Sequence, residues 1–282
     1  MSAHRRFNVS LANGETLALG PTPVVMGILN LTPDSFSDGG DHIGTQAANA
    51  QARSIIAQGA AIIDVGGEST RPGAEELSAQ NELDRVIPVL EAMQHEKIDA
   101  LVSIDTYKAL IADQAIQTGA NIINDVHGLQ RDPEIADVAA LHNAPIIIMH
   151  WDDKRDTAKD ILAEMARYFE TSLSIASRAG LPDEQIILDP GFGFGKDYAE
   201  NYDLLKRLHE LCDLGFPILS GTSRKSMLGK LLDVPPKQRG AGTIASNVFA
   251  YQNGAHIFRV HDVRENVDAL RVTEATIYGP PE

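Results

Sequence analysis

The sequence is poor in several features that would each announce a function. It holds a single cysteine, Cys212, among 282 residues. One thiol forms no internal disulfide and no cysteine metal cluster, and it suits a reducing compartment. No run approaches the ~20 apolar residues that a membrane-spanning helix needs. Arg5 and Arg6 are followed by no apolar stretch of the secretory kind, so the expectation is a soluble, cytoplasmic chain. Basic residues are scarce: 24 Lys and Arg face 39 Asp and Glu, a formal charge of −15. Such a chain repels a phosphate polyanion, which argues against nucleic acid or an anionic membrane as partner. Small anionic ligands need only a local basic cluster and stay allowed. There is no His-x-His pair and no His-Glu-x-x-His, so a zinc hydrolase has little support. The glycine-rich stretch 191–196 matches neither the dinucleotide fingerprint nor the nucleotide P-loop. No nucleophilic triad stands out.

What is present is a rhythm. An opening hairpin is expected within residues 1–20, where alternating strands flank Asn13-Gly14. Then eight short apolar runs follow, at 24–30, 61–66, 101–105, 122–125, 145–150, 186–189, 217–221 and 257–261. They lack polar alternation and so read as parallel strands buried on both faces. Between them lie helical stripes. Leu83, Val86, Ile87, Leu90 and Met93 form one, with Ser78 as its N-cap. Ile161, Met165, Tyr168 and Phe169 form a second; Leu204, Leu205, Leu208 and Leu211 form a third. Eight alternations favour an α/β (β/α)₈ barrel over a doubly wound open sheet, in one domain covering 1–282.

In such a barrel, function sits at the carboxyl ends of the strands. Polar residues close every run: Asn30, the segment 64–71, Asp105, Asn124 and Asp125, His150, Asp189, 223–226, then Arg259 and His261. Two sets differ in chemistry. Arg71, Lys225, Arg259 and His261 can bring positive charge, and Thr70 and Ser226 add hydroxyls. Together they suit a phosphate or diphosphate. Asp105, Asn124 and Asp189 offer acceptors and an amide, which suits a flat heterocycle with mixed donors and acceptors. Two glycine-bearing loops, 31–44 and 66–73, are expected as lids. His127 and His142 read as loop and helix residues, and Trp151 as a ring that either stacks on a ligand or simply packs beside its strand end.

These residues fall in motifs that resemble the dihydropteroate synthases. Met26-Gly-Ile-Leu-Asn-Leu-Thr-Pro-Asp-Ser-Phe-Ser-Asp-Gly-Gly40 is similar to that family's first signature, and Ile62-Ile-Asp-Val-Gly-Gly-Glu-Ser-Thr-Arg-Pro-Gly73 to its second. The resemblance continues through Ser103-Ile-Asp-Thr106, Ile123-Asn-Asp-Val126, 188–196, Ser223-Arg-Lys-Ser226 and Arg259-Val-His261. It implies a pterin-binding barrel, usually homodimeric, that joins 6-hydroxymethyl-7,8-dihydropterin diphosphate to 4-aminobenzoate and releases diphosphate in folate synthesis. It implies a pterin held by Asp105, Asn124, Asp189 and Lys225 with Met149 and Phe194. Diphosphate would meet Asn30, Thr70, Arg71, Arg259 and His261, with Mg²⁺ on Asn30. Aminobenzoate would lie against Phe36, Pro72, Phe194, Ser223, Ser226 and Lys225. Arg71, Asp105, Lys225 and Arg259 would act in catalysis, with Asp34 or Asp38 from the first loop. The first two loops would close over diphosphate and so create the aminobenzoate pocket. One segment departs from the family. After Met149-His150 it usually carries methionine, glycine and proline, whereas here 151–157 is Trp-Asp-Asp-Lys-Arg-Asp-Thr, a loop expected either to be solvated or to change the rim of the site.

Other readings of the same barrel fit less well. A methyltetrahydrofolate-dependent methyltransferase barrel has no use for Arg71, Lys225, Arg259 and His261 around a diphosphate. A non-catalytic pterin-binding homologue would show altered catalytic positions. A phosphosugar aldolase or isomerase would want a Schiff-base lysine or a Glu/His pair.

Overall fold

The computed structural model describes residues 4–31, 41–69 and 76–281. The chain opens with β1 (Phe7–Ser10) and β2 (Thr16–Leu19), which pair antiparallel with Phe7 opposite Leu19. Their turn uses its residue types as expected. Asn13 Oδ1 accepts from the Glu15 amide at 3.0 Å, and Gly14 takes φ +84°.

Strands and helices then alternate. They are β3 (Val24–Asn30), α1 (Asp41–Ala57), β4 (Ile62–Gly66), α2 (Ala79–His95), β5 (Leu101–Asp105), α3 (Ala109–Gln117), β6 (Ile122–Asp125), α4 (Glu134–Leu141), β7 (Ile146–Met149), α5 (Ile161–Arg178) and β8 (Ile186–Asp189). Next come α6 (Tyr198–Lys206), α7 (Leu208–Leu211), β9 (Leu219–Ser220), α8 (Ser226–Leu232), α9 (Gly240–Gln252), β10 (Ile257–Val260) and α10 (Val263–Tyr278). All eight barrel strands run parallel, in the order β8-β7-β6-β5-β4-β3-β10-β9. The ring shuts where the Leu188 amide donates to the Pro217 carbonyl at 2.9 Å, beside a Leu188–Ile218 bridge. The fold is therefore the (β/α)₈ barrel with an N-terminal hairpin.

The differences from the sequence reading are local. The run 217–221 yields a regular strand only at Leu219–Ser220. Pro217 has no N–H to give, so it joins the closure through its carbonyl alone. The stripe of Leu204, Leu205, Leu208 and Leu211 is buried, but it spans two helices that part at Arg207. Ser78 caps α2 as expected, its hydroxyl accepting from the Asn81 amide at 3.2 Å.

Side chains alternate between two cores. Those pointing out, such as Ile63, Val65, Ile123, Ile148, Leu188 and Phe258, pack under the helices. Those pointing in at the amino-terminal end include Met26, Ile62, Ile122, Ile147, Ile187, Leu219 and Ile257. The hairpin caps this inner layer with Val9, Leu11, Leu17 and Leu19. Each such burial contributes about 1.5–3 kcal/mol. The lower mouth of the barrel is thereby plugged, and ligands are left the other end. Among the described residues, no helix is long and apolar enough to cross a membrane.

Candidate functional site

One dyad step along several strands turns the interior from apolar to polar. Ile62, Ile122, Ile187 and Ile257 belong to the plugged layer; two residues on stand Asp64, Asn124, Asp189 and Arg259. A strand's period of two puts each pair on the same inner face. β5 adds Asp105 in register with Asn124, and β7 adds Met149 in register with Asp189.

These side chains form one bonded floor. Arg259 Nε donates to Asp64 at 2.6 Å, and its NH2 group donates to Asp105 at 2.6 Å. Asn124 Nδ2 lies 3.3 Å from both Asp64 oxygens. Burial works against the Arg259 charge, yet Asp64 and Asp105 outweigh it, so its pKa is raised. Burial pushes the Asp105 carboxyl up, to about 7, against the pull of Arg259. Asp64 is fully buried; the sequence placed it in the polar segment 64–71 but gave it no site role. Counting by twos from Ile62 would have found it. The positive and carboxylate sets are thus not two separate walls. Arg259 joins them.

Asp189 is also buried, and its carboxyl is pushed up by that burial. Its Oδ1 accepts from the Gly191 amide at 2.7 Å. There the chain turns sharply at Gly191, φ +67°, where a Cβ would fall 2.2 Å from the His150 carbonyl oxygen. The turn carries Phe194, whose ring centre lies 3.9 Å from the Lys225 ammonium. Gly193, φ +81°, lets the Lys225 stem pass: a Cβ would sit 3.1 Å from Cδ. Burial and Arg259 push the Lys225 pKa down, to about 8, while Asp189 and Asp105 oppose this. Lys196 braces the turn from beneath, donating to the carbonyls of Gly191 at 2.9 Å and Phe194 at 3.0 Å and to His150 Nδ1 at 2.9 Å. His150, named from its strand end, is fully buried under this turn. Burial and Lys196 push its pKa down to about 2, so it is a neutral acceptor.

The 222–226 segment is held as firmly. Ser223 Oγ pairs with His261 Nδ1 at 2.9 Å and accepts from the His261 amide at 3.1 Å. Arg224, φ +56°, is ion-paired with Asp262. Arg239 donates to the carbonyls of Arg224 at 2.8 Å and Lys225 at 3.3 Å. Ser226 is exposed and opens α8. Burial, Arg259 and Arg224 push His261 down to about 4. The same surroundings favour its neutral, hydrogen-bonding form over a cation. Asn30, half-buried, ends β3 beside Gly66 of β4.

The charged segment after Met149 is anchored at one residue, Arg155, while Asp153, Lys154, Asp156 and Thr157 are exposed. Arg155 is buried; its Nε donates to the Gly195 carbonyl at 3.0 Å and its NH2 group to both Glu200 oxygens. Arg167 ties Asp152 at 2.7 Å. His142 pairs with Asp113 at 2.7 Å, away from the barrel mouth. Among expected site residues, Asp34, Phe36, Asp38, Thr70, Arg71 and Pro72 lie outside the described residues. Most of the two expected lid loops lies there too.

Comparison with known proteins agrees with this geometry. Residues 26–261 match the family described as pterin binding enzyme. The chain is 47% identical to the dihydropteroate synthase of Escherichia coli (strain K12) over 272 residues, covering 94% of this chain and 95% of that one. It superposes on a Xanthomonas albilineans dihydropteroate synthase solved with 4-aminobenzoic acid, with a TM-score of 0.90 at 41% identity, covering 98% of this chain and 100% of that one. A Yersinia pestis dihydropteroate synthase solved with a sulfonamide drug gives 0.87 at 44% identity, covering 96% and 99%. The chain belongs to the dihydropteroate synthases, within the pterin-binding enzymes.

Proposed function

We propose that the cup joins 6-hydroxymethyl-7,8-dihydropterin diphosphate to 4-aminobenzoate, releasing diphosphate and 7,8-dihydropteroate for folate synthesis. The observation that carries the reading is the convergence of Asp105, Asn124, Asp189, Lys225 and Arg259 on one polar floor above an apolar plug. Asp189 and Asn124 match the amino and ring N–H groups of a pterin edge, since a carboxylate accepts two such bonds. Met149 is buried beside them and supplies apolar contact.

The exocyclic carbon of the electron-rich dihydropterin can lose diphosphate before attack. The C–O bond breaks with its electron pair leaving on diphosphate, and a pterin-stabilised cation results. Arg259 and, on the family resemblance, Arg71 and Thr70 meet the growing negative charge. Neutral His261 donates a hydrogen bond there. Asp105 would face the cation, joined, on the family resemblance, by Asp34 or Asp38. The aminobenzoate nitrogen then forms the C–N bond and loses its proton to the departing diphosphate or to water. A neutral arylamine needs no strong base, so positioning supplies much of the acceleration. Phe194, Lys225, Ser223 and Ser226, with Phe36 and Pro72, would line its place.

Magnesium fits this arrangement. Asn30 offers one hard amide oxygen, and among the described residues no three His, Cys, Asp or Glu side chains form a cage. That donor set suits an ion completed by phosphate oxygens and water. Bound there, it would neutralise diphosphate charge as the leaving group departs. The test is to incubate the purified chain with both substrates and magnesium. Diphosphate and dihydropteroate should form in equal amounts, and no coupled release would refute the reading.

A further inference from the structure

The loop that sets this chain apart from the family pattern touches the site through one ring. Trp151, half-buried, stacks face to face on His127, with centres 4.5 Å apart and planes at 14°. On its other flank it leans against Phe194, centres 4.8 Å apart at 47°. Phe194 therefore touches both the indole and the Lys225 ammonium. Behind this pair stand Tyr107, edge-on to His127 at 4.9 Å, and Arg131, 4.3 Å over the Tyr107 ring. The Trp151 N–H is fixed to Asp153 at 3.0 Å.

Phe194 needs such support. Its turn contains three glycines with positive φ, at 191, 193 and 195, a backbone that side chains do not stiffen. Lys196, Arg155 and Asn201 hold the main chain of that turn. Nothing in those bonds sets the angle of the Phe194 ring. Trp151 is the aromatic side chain in contact with it among the described residues.

We propose that Trp151 is a specificity-determining positioning residue for the arylamine. It acts through Phe194, whose ring it holds against Lys225, and it extends that wall toward the barrel rim. This rests on the transferase reading above, which puts aminobenzoate against Phe194. The hydrogen bonds of the pterin floor run among Asp64, Asp105, Asn124, Asp189, Gly191 and Arg259 and do not involve the indole.

The experiment is steady-state diphosphate release by the wild type, Trp151→Ala and Trp151→Phe, with each substrate varied in turn. Trp151→Ala should raise the KM for 4-aminobenzoate at least tenfold, with kcat within threefold and the KM for the pterin diphosphate within twofold. Trp151→Phe should recover most of the loss. An unchanged arylamine KM, a parallel decline for both substrates, or a phenylalanine variant no better than alanine would overturn the proposal while leaving the transferase reading intact. A wild type that releases no diphosphate would sink both. Should Trp151→Ala not fold, by circular dichroism, His127→Leu removes the stacking partner instead. It should raise the same KM in the same selective way, and an unaltered value would count against the indole's role.

Discussion

The two ends of the barrel share the same strands and differ by one step of two residues. At the amino-terminal end Ile62, Ile122, Ile187 and Ile257 are sealed under the hairpin. At the carboxyl end Asp64, Asn124, Asp189 and Arg259 carry hydrogen bonds that a core would not need. A ~6.6 Å step along a strand separates the two layers. Stability is concentrated in the first and chemistry in the second. Lone charges in the second would be costly, so they hold one another: Arg259 occupies Asp64 and Asp105 together.

That contrast can be broken at several points. Arg259→Ala should lower kcat/KM on the order of a thousandfold, by removing diphosphate stabilisation and freeing two buried carboxylates. Initial rates near those of the wild type would dissociate Arg259 from the chemistry. At the other end, Ile187→Ala should cost about 2–5 kcal/mol in denaturant unfolding, through a cavity under the hairpin. Its affinity for the pterin diphosphate should stay within twofold of the wild type. A large affinity loss would show that the layers are not separable.

The closed end also carries an acid-sensitive group. His256 is buried, with Nδ1 accepting from the Ile218 amide at 3.3 Å and Nε2 3.2 Å from the Arg5 carbonyl. Burial pushes its pKa down to about 4, below the ~6.5 of an unfolded chain. Neutral His256 therefore belongs to the folded state, and its contribution is whole above pH ~6.5. It is lost as pH falls from there toward 4, by at most about 3 kcal/mol. Urea midpoints measured from pH 7 to 4.5 should fall less steeply for His256→Asn. Parallel slopes would assign the acid response elsewhere.

Much of this was legible in the residues, for physical reasons. Runs such as 101–105 and 186–189 are apolar on both faces because they lie between helices and the barrel interior. Their polar last residues, Asp105 and Asp189, had to be at the mouth. Asp64 stood in the polar segment 64–71 but received no role of its own, because its tie to Arg259 joins residues 195 positions apart. For His261 the residue type permits charge, and the opposing push of burial beside Arg259 and Arg224 shows only in the folded arrangement. The segment 151–157 looked solvated from its charges. Most of its residues are exposed, but Arg155 is buried against Glu200, and no local pattern records a partner 45 residues away.

Pterin recognition rests most directly on the floor itself. Calorimetric titration of Asp189→Asn with the dihydropterin substrate should show at least a tenfold weaker affinity, because an amide donor then faces a pterin N–H. An unchanged affinity in a folded variant would remove Asp189 from the pocket and contradict the reading of the carboxyl end as the pterin site.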